Sequence, residues 1–210
     1  IYTGALRAKD LVKQILTFSR QEKSELKLMK MQPVIREALK LIRSTIPTTI
    51  KIKQDIQVDC GPIEADPTQI HQIIMNLATN AYHAMEETGG ELNIKLKKVE
   101  FDEPDLFNPD IEPGAYACLS ISDTGKGMDK ELIEKIFDPF FTTKETGKGT
   151  GMGLSVVHGI VQSMNGAIQV YSRPDKGTDF HVYLPLAEAV KEQQHASNKA
   201  TYIQNGTEHI

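Results

Sequence analysis

The sequence predicts an α/β domain, with one amphipathic helix before it and a polar tail after it. Three observations carry that expectation. From Leu26 to about residue 187, segments with apolar residues at helical spacing alternate with short runs of period two. Start and stop signals separate them, notably Asp66-Pro67-Thr68-Gln69 and Gly89-Gly90. The 210 residues, 40% hydrophobic and 25% charged, suffice for one buried core with an appendage and fall short of two full domains.

Taken in order, residues 1–28 place Ile1, Ala5, Ala8, Val12 and Ile15 at three-and-four spacing, flanked by Leu11 and Phe18. Arg7, Lys9, Asp10 and Lys13 take solvated positions, so the segment reads as an amphipathic helix. Such a helix cannot bury its stripe alone. Either it packs on the next domain or it belongs to a bundle with members outside this chain, and the bundle is the preferred reading. A start at Ile1, without methionine or signal peptide and in mid-helix, reads as a fragment of a longer protein.

Pro33 to Ile46 reads as a helix with Pro33 in its first turn, ended by Pro47. Ile50, Ile52, Ile56 and Val58 fall at even spacing, as in a strand. Asp66 can then cap a helix running to about Glu87, with Pro67 at its first position and Gln69 reaching back as in a capping box. Leu92, Ile94 and Leu96 alternate as a strand, and Tyr116 to Ser122 forms another; the acidic stretch Asp102–Pro113 between them reads as a surface loop. A short helix over Asp129–Ile136, a glycine-rich loop and a helix from about Gly151 to Met164 follow. Strands Ala167–Ser172 and Thr178–Leu184 close the domain, and the polar residues 188–210 read as a linker or tail.

Composition narrows function. A net charge of −4 and a pI near 5.9 argue against a nucleic-acid binder, which would show a basic face. No apolar run approaches the roughly 20 residues that span a bilayer, so no membrane contact by this segment and a cytoplasmic location are expected, with any anchor lying elsewhere in a longer protein. Cys60 and Cys118 have no metal-ligand spacing and read as small buried residues rather than a disulfide pair.

Three groups of residues point to chemistry. At about 100° per residue, Asn76, Asn80 and His83 form a polar strip beside the apolar sector of Ile70, Ile73, Leu77, Ala81 and Ala84. An asparagine oxygen is a neutral hard ligand that can complete an octahedral magnesium held by phosphate and water. Equally, these amides could simply bond nearby backbone. Asp123-Thr124-Gly125-Lys126-Gly127 follows an apolar strand. It is either a turn, or a carboxylate placed to accept from the adenine amine, with Gly125 and Gly127 letting backbone approach a flat ring. Gly147 to Leu154 runs into a helix, and its glycines with a helix N-terminus suit phosphate. It is neither a Walker loop nor a Rossmann loop, because Gly149 rather than Ser or Thr follows its Gly147-Lys148 pair and Leu154 stands where the last Rossmann glycine would be. Between these groups, Phe137, Phe140 and Phe141 around Pro139 are expected to anchor a mobile loop in the core, and Lys144 on that loop could swing onto a phosphate.

In this order and spacing, Asn76–Asn80, Asp123–Gly127, the phenylalanine stretch 137–141, Gly149–Gly153 and Gly177-Thr178-Asp179-Phe180 resemble the N, G1, F, G2 and G3 boxes of histidine kinases. The resemblance covers residues 32–187. It implies a two-layer sandwich of the Bergerat type, a mixed sheet with helices on one face and ATP between helix and lid. It implies that Asn80 ligates Mg2+, that Asp123 binds the adenine amine, that His83 approaches the phosphates and that Thr178 sits near the base, often through water. Asn76, Gly125, Gly127, Lys144, Gly149, Thr150, Gly151, Met152, Gly153 and Leu154 complete the expected nucleotide site. Residues 7–20 are similar to the end of the second dimerisation helix of the same family. That implies three units: 1–28 as part of the dimerisation hairpin, 29–187 as the catalytic domain, and 188–210 as linker. It also implies a homodimer in the full-length protein, a phosphoacceptor histidine helix and a response regulator receiver domain as partners.

Two departures qualify the expectation. None of the 6 histidines is followed by an acid in the phosphoacceptor context, so ATP binding without self-phosphorylation in cis is expected. Related ATPases carry a water-activating glutamate four residues before the magnesium asparagine, and here that position is Asn76. An amide cannot take a proton at neutral pH, which disfavours an ATPase module. A serine-directed kinase of the same fold remains the other alternative.

Overall fold

Alternation along the strands builds the core. In the computed structural model, which describes residues 26–103, 111–144 and 149–187, β4 (Gly90–Phe101) turns Leu92, Ile94 and Leu96 inward while Lys95 and Lys97 face solvent. Its neighbour β5 (Gly114–Asp123) does the same with Ala117, Leu119 and Ile121. With β2 (Ile50–Ile56), β6 (Ala167–Arg173) and β7 (Gly177–Pro185) they form one sheet in the order β2-β4-β5-β7-β6. The β2–β4 pairing is parallel and the others antiparallel, so the sheet is mixed, as expected.

Helices cover the inner face. α1 (Met31–Thr45) buries Met31, Ile35, Ala38, Leu39 and Ile42 at helical spacing and carries Pro33 in its first turn. α2 (Pro67–Ala84) buries Ile70, Ile73, Ile74, Leu77, Ala78 and Ala81 and packs against both α1 and α4 (Gly153–Ser163). These residues and the inward strand residues form one hydrophobic cluster. The two-layer α/β sandwich follows from two periodicities meeting face to face. No helix among the described residues is long and apolar enough to cross a membrane.

Several boundaries differ from expectation. Residues 27–29 are strand β1, paired with β3 (Ile63–Ala65), so the expected N-terminal helix cannot extend to 28; its residues 1–25 lie outside the described ones. Asp66 does cap α2, accepting the Thr68 N–H at 2.7 Å, but the buried Gln69 Oε1 has no partner and the capping box does not close. α2 ends at Ala84 rather than Glu87, α3 (Lys130–Ile133) is a single turn, and α4 starts at Gly153. Ile111 of the expected surface loop is buried against Tyr116, Cys118 and Tyr183. Both cysteines are buried and unpaired, which agrees with the reading from sequence.

Candidate functional site

The site starts where β5 ends. Asp123 pairs with Thr178 of β7 across the sheet and points to the inner, helix-covered face, where it is 8% exposed. Its carboxylate accepts the Gly125 N–H at 2.8 Å and a backbone hydrogen bond from Thr178. Burial pushes its pKa from 3.8 to about 6, against those two donors, with a small addition from the charge of Asp179. A carboxylate offers about four lone-pair positions, so it can still receive a further donor such as an exocyclic amine.

Ser172 is a residue the sequence reading passed over. Its hydroxyl donates to the Gly177 carbonyl at 2.9 Å and accepts the Met128 N–H at 2.8 Å. Its one proton is therefore committed, and at 3.0 Å from Thr178 Oγ1 it must accept the Thr178 hydroxyl. Thr178 thereby becomes acceptor-only toward the site, which suits a bound water or an amine. A serine in a strand gives no sign of this in sequence.

The Asp123–Gly127 loop is wedged between two elements. The Lys126 N–H donates to Ala84 O at the end of α2 at 3.1 Å, and the Lys126 carbonyl accepts the Asp175 N–H at 2.8 Å. A methyl at Gly125 would stand 2.5 Å from Ala84 O, and one at Gly127, where φ is +62°, would overlap the Arg173 carbonyl. Glycine is required here because backbone meets backbone. Gly127→Ala is accordingly expected to destabilise the domain by about 2–4 kcal/mol. A melting temperature within 2 °C of wild type would contradict the wedge.

On α2, Asn76, Asn80 and His83 are half-buried, in the strip the sequence predicts. The side-chain amides of Asn76 and Asn80 make no hydrogen bond to any described residue, so bonding to nearby backbone does not account for them. A methyl at Gly153 would come 3.4 Å from Asn76 Oδ1, which sets the start of α4 against the asparagine strip. The Gly125 contact with Ala84, one turn past Asn80, brings the Asp123 loop to the same helix. His83 Nδ1 lies 3.4 Å from Glu86 Oε2.

The lid residues are partly brought together. A methyl at Gly149 would touch the Lys144 side chain at 3.0 Å, and the Met152 N–H lies 3.4 Å from Thr150 Oγ1. Leu154 packs partly into the core. The Lys144 pKa is lowered by burial and by the charge of Lys126, with Glu86 acting the other way. Residues 145–148, the middle of the expected mobile loop, lie outside the described ones.

One expectation fails. Of the three phenylalanines only Phe137 stacks inward, its ring 5.1 Å from that of His158, and both it and buried Ile136 join the core. Phe140 is 67% exposed, with φ of +68°, and its backbone lies where a methyl at Gly151 would be, which is why a glycine stands there. A cleft of about 630 Å3 runs from Asp123 and Thr178 past Ile133 to Tyr171, Arg173 and Lys176; neither Asn76 nor Asn80 lines it.

Comparison with known proteins decides the family. Residues 65–188 match the family described as histidine kinase-, DNA gyrase B- and HSP90-like ATPases. The chain belongs to this family. Curated proteins similar to it include sensor histidine kinases. The sensor kinase CckA of Brucella abortus (strain 2308) is 38% identical over 186 residues, 88% of this chain and 20% of that protein. Among solved structures, the catalytic domain of histidine kinase ThkA matches at 29% identity and TM-score 0.60, covering 77% of this chain and 97% of that one. The structure of ThkA in complex with the response regulator protein TrrA matches at 27% and TM-score 0.65, over 88% and 48%. The chain thus spans about a fifth of the length of CckA. As a member of this ATPase family it has the mixed-sheet sandwich with helices on one face that its solved relatives share.

Proposed function

We propose that residues 27–187, from β1 onward, are the ATP-binding catalytic domain of a two-component sensor histidine kinase. In this reading the domain transfers the γ-phosphate of Mg·ATP to a histidine outside this chain, for onward transfer to a receiver domain. The observation that carries it is the wedge: the loop of a buried carboxylate, Asp123, is fastened to the helix of two unbonded amides, Asn76 and Asn80. Asp123 and Thr178 accept from the base. Asn80 directs a neutral oxygen at the metal, His83 and Lys144 face the phosphates, and the Gly149–Gly153 turn with the start of α4 closes over them.

The donor set fits magnesium. Among the described residues no group of three or more His, Cys, Asp or Glu could cage a metal. Mg2+ suits one protein oxygen with phosphate oxygens and water completing its octahedron, and Asn80 has that oxygen to give. When bound, the ion neutralises charge on the phosphates; orientation of the nucleotide is the work of Asp123 and the two asparagines.

Asn76 separates kinase from ATPase. Steady-state hydrolysis by wild type is expected to be slow, and Asn76→Glu is expected to raise it on the order of a hundredfold, the usual worth of a positioned base. Rapid hydrolysis by the wild type, unchanged in the variant, would favour the ATPase reading. With radiolabelled ATP and a separate helical hairpin carrying a histidine, label is expected on the hairpin and not on this chain. Label appearing on a serine would instead support a serine-directed kinase. By the same reading, the segment before β1 belongs to the dimerisation hairpin of a homodimeric full-length protein.

A further inference from the structure

Glu86 lies just beyond α2, with 57% of its side chain exposed. Nothing in helix stability calls for an acid there, because the carbonyls at a helix C-terminus repel a carboxylate. Its oxygens reach Tyr82 OH and His83 Nδ1, each at 3.4 Å, which is long for a hydrogen bond. Its charge also acts on Lys144, opposing that of Lys126. One carboxylate therefore lies beside His83, one of the groups that the site directs toward phosphate.

We propose that Glu86 is a specificity-determining residue of the nucleotide site: an internal anion, set beside His83, that competes with the phosphate tail and holds down the affinity for polyphosphate. This rests on the nucleotide-binding reading above. The phosphate tail must share its cations with Glu86, and the cost grows with the number of phosphates. A fixed charge of this kind weakens ATP more than ADP and AMP least, and salt screens it.

The test is calorimetric titration of wild type and Glu86→Gln with Mg·ATP, Mg·ADP and AMP at about 0.05 and 0.5 M salt. The variant is expected to bind Mg·ATP about three- to tenfold more tightly at low salt, ADP less so and AMP least, with the gain shrinking at high salt. Equal or weaker Mg·ATP binding by the variant, or a gain as large for AMP as for ATP, overturns the inference while leaving the nucleotide site standing. If neither protein binds ATP, the site reading fails and the inference with it.

Discussion

Asp123→Asn is expected to lose affinity for ATP on the order of a hundredfold, about 2.7 kcal/mol, while the folded domain becomes more stable at neutral pH. The two effects have one cause. Asn keeps the shape of Asp and one oxygen that can accept the Gly125 N–H, but its NH2 replaces the remaining acceptor. A donor then faces the adenine amine, and both are left unbonded away from water, which costs more than losing the hydrogen bond alone. The same NH2 suits the guanine carbonyl, so the preference for ATP over GTP, expected to be at least about tenfold in wild type, should collapse in the variant.

Stability moves the other way because the carboxylate is buried. Its pKa is about 6 in the folded domain against 3.8 for an ordinary aspartate, so the fold binds this proton more tightly than the unfolded chain does. The contribution of the protonated group to stability is therefore complete below about pH 4 and is lost as pH rises through 6. At pH 7 the charged group costs on the order of 2–3 kcal/mol, which a neutral amide avoids. ATP affinity has the opposite slope: it should fall in wild type as pH drops below about 6, and the variant should show no such dependence. Calorimetry and denaturant unfolding across pH 5 to 8 measure both. A variant that binds ATP as wild type does would remove Asp123 from base recognition.

The second large effect is expected at Asn80. Asn80→Ala should bind ATP no better with Mg2+ than without it, losing about thirtyfold or more relative to wild type in Mg2+, while AMP binding stays unchanged. The side chain is half-buried and makes no bond to the described residues, so its removal should change stability by less than about 1 kcal/mol. Asn80→Asp restores an oxygen ligand and should recover part of the magnesium dependence. Wild-type magnesium dependence in Asn80→Ala would place the metal elsewhere.

How much of this was legible in the sequence depends on how local the cause is. Period-two alternation at Leu92, Ile94 and Leu96 and the Asp66-Pro67 start are local, and both are seen in the structure. Asp123 and Thr178 were readable as a pair only through the order of motifs; the register that sets them side by side is a property of the sheet. Strands β1 and β3, of 3 residues each, are too short for a periodicity to show. Ser172 matters through Met128, 44 residues before it, and through Gly177 and Thr178 across the turn from β6 to β7, a set that only the folded sheet brings together. Gln69 satisfies the spacing of a capping box without forming one, since its oxygen is drawn into the interior.

The central claim is that one nucleotide spans from Asp123 to Asn80, and a crystal structure with Mg2+ and a non-hydrolysable ATP analogue tests it most directly. The adenine amine is expected about 3 Å from the Asp123 carboxylate, and the metal about 2.1 Å from Asn80 Oδ1. A nucleotide lying instead along the cleft over Tyr171, Arg173 and Lys176, with Asn80 untouched, would contradict the account.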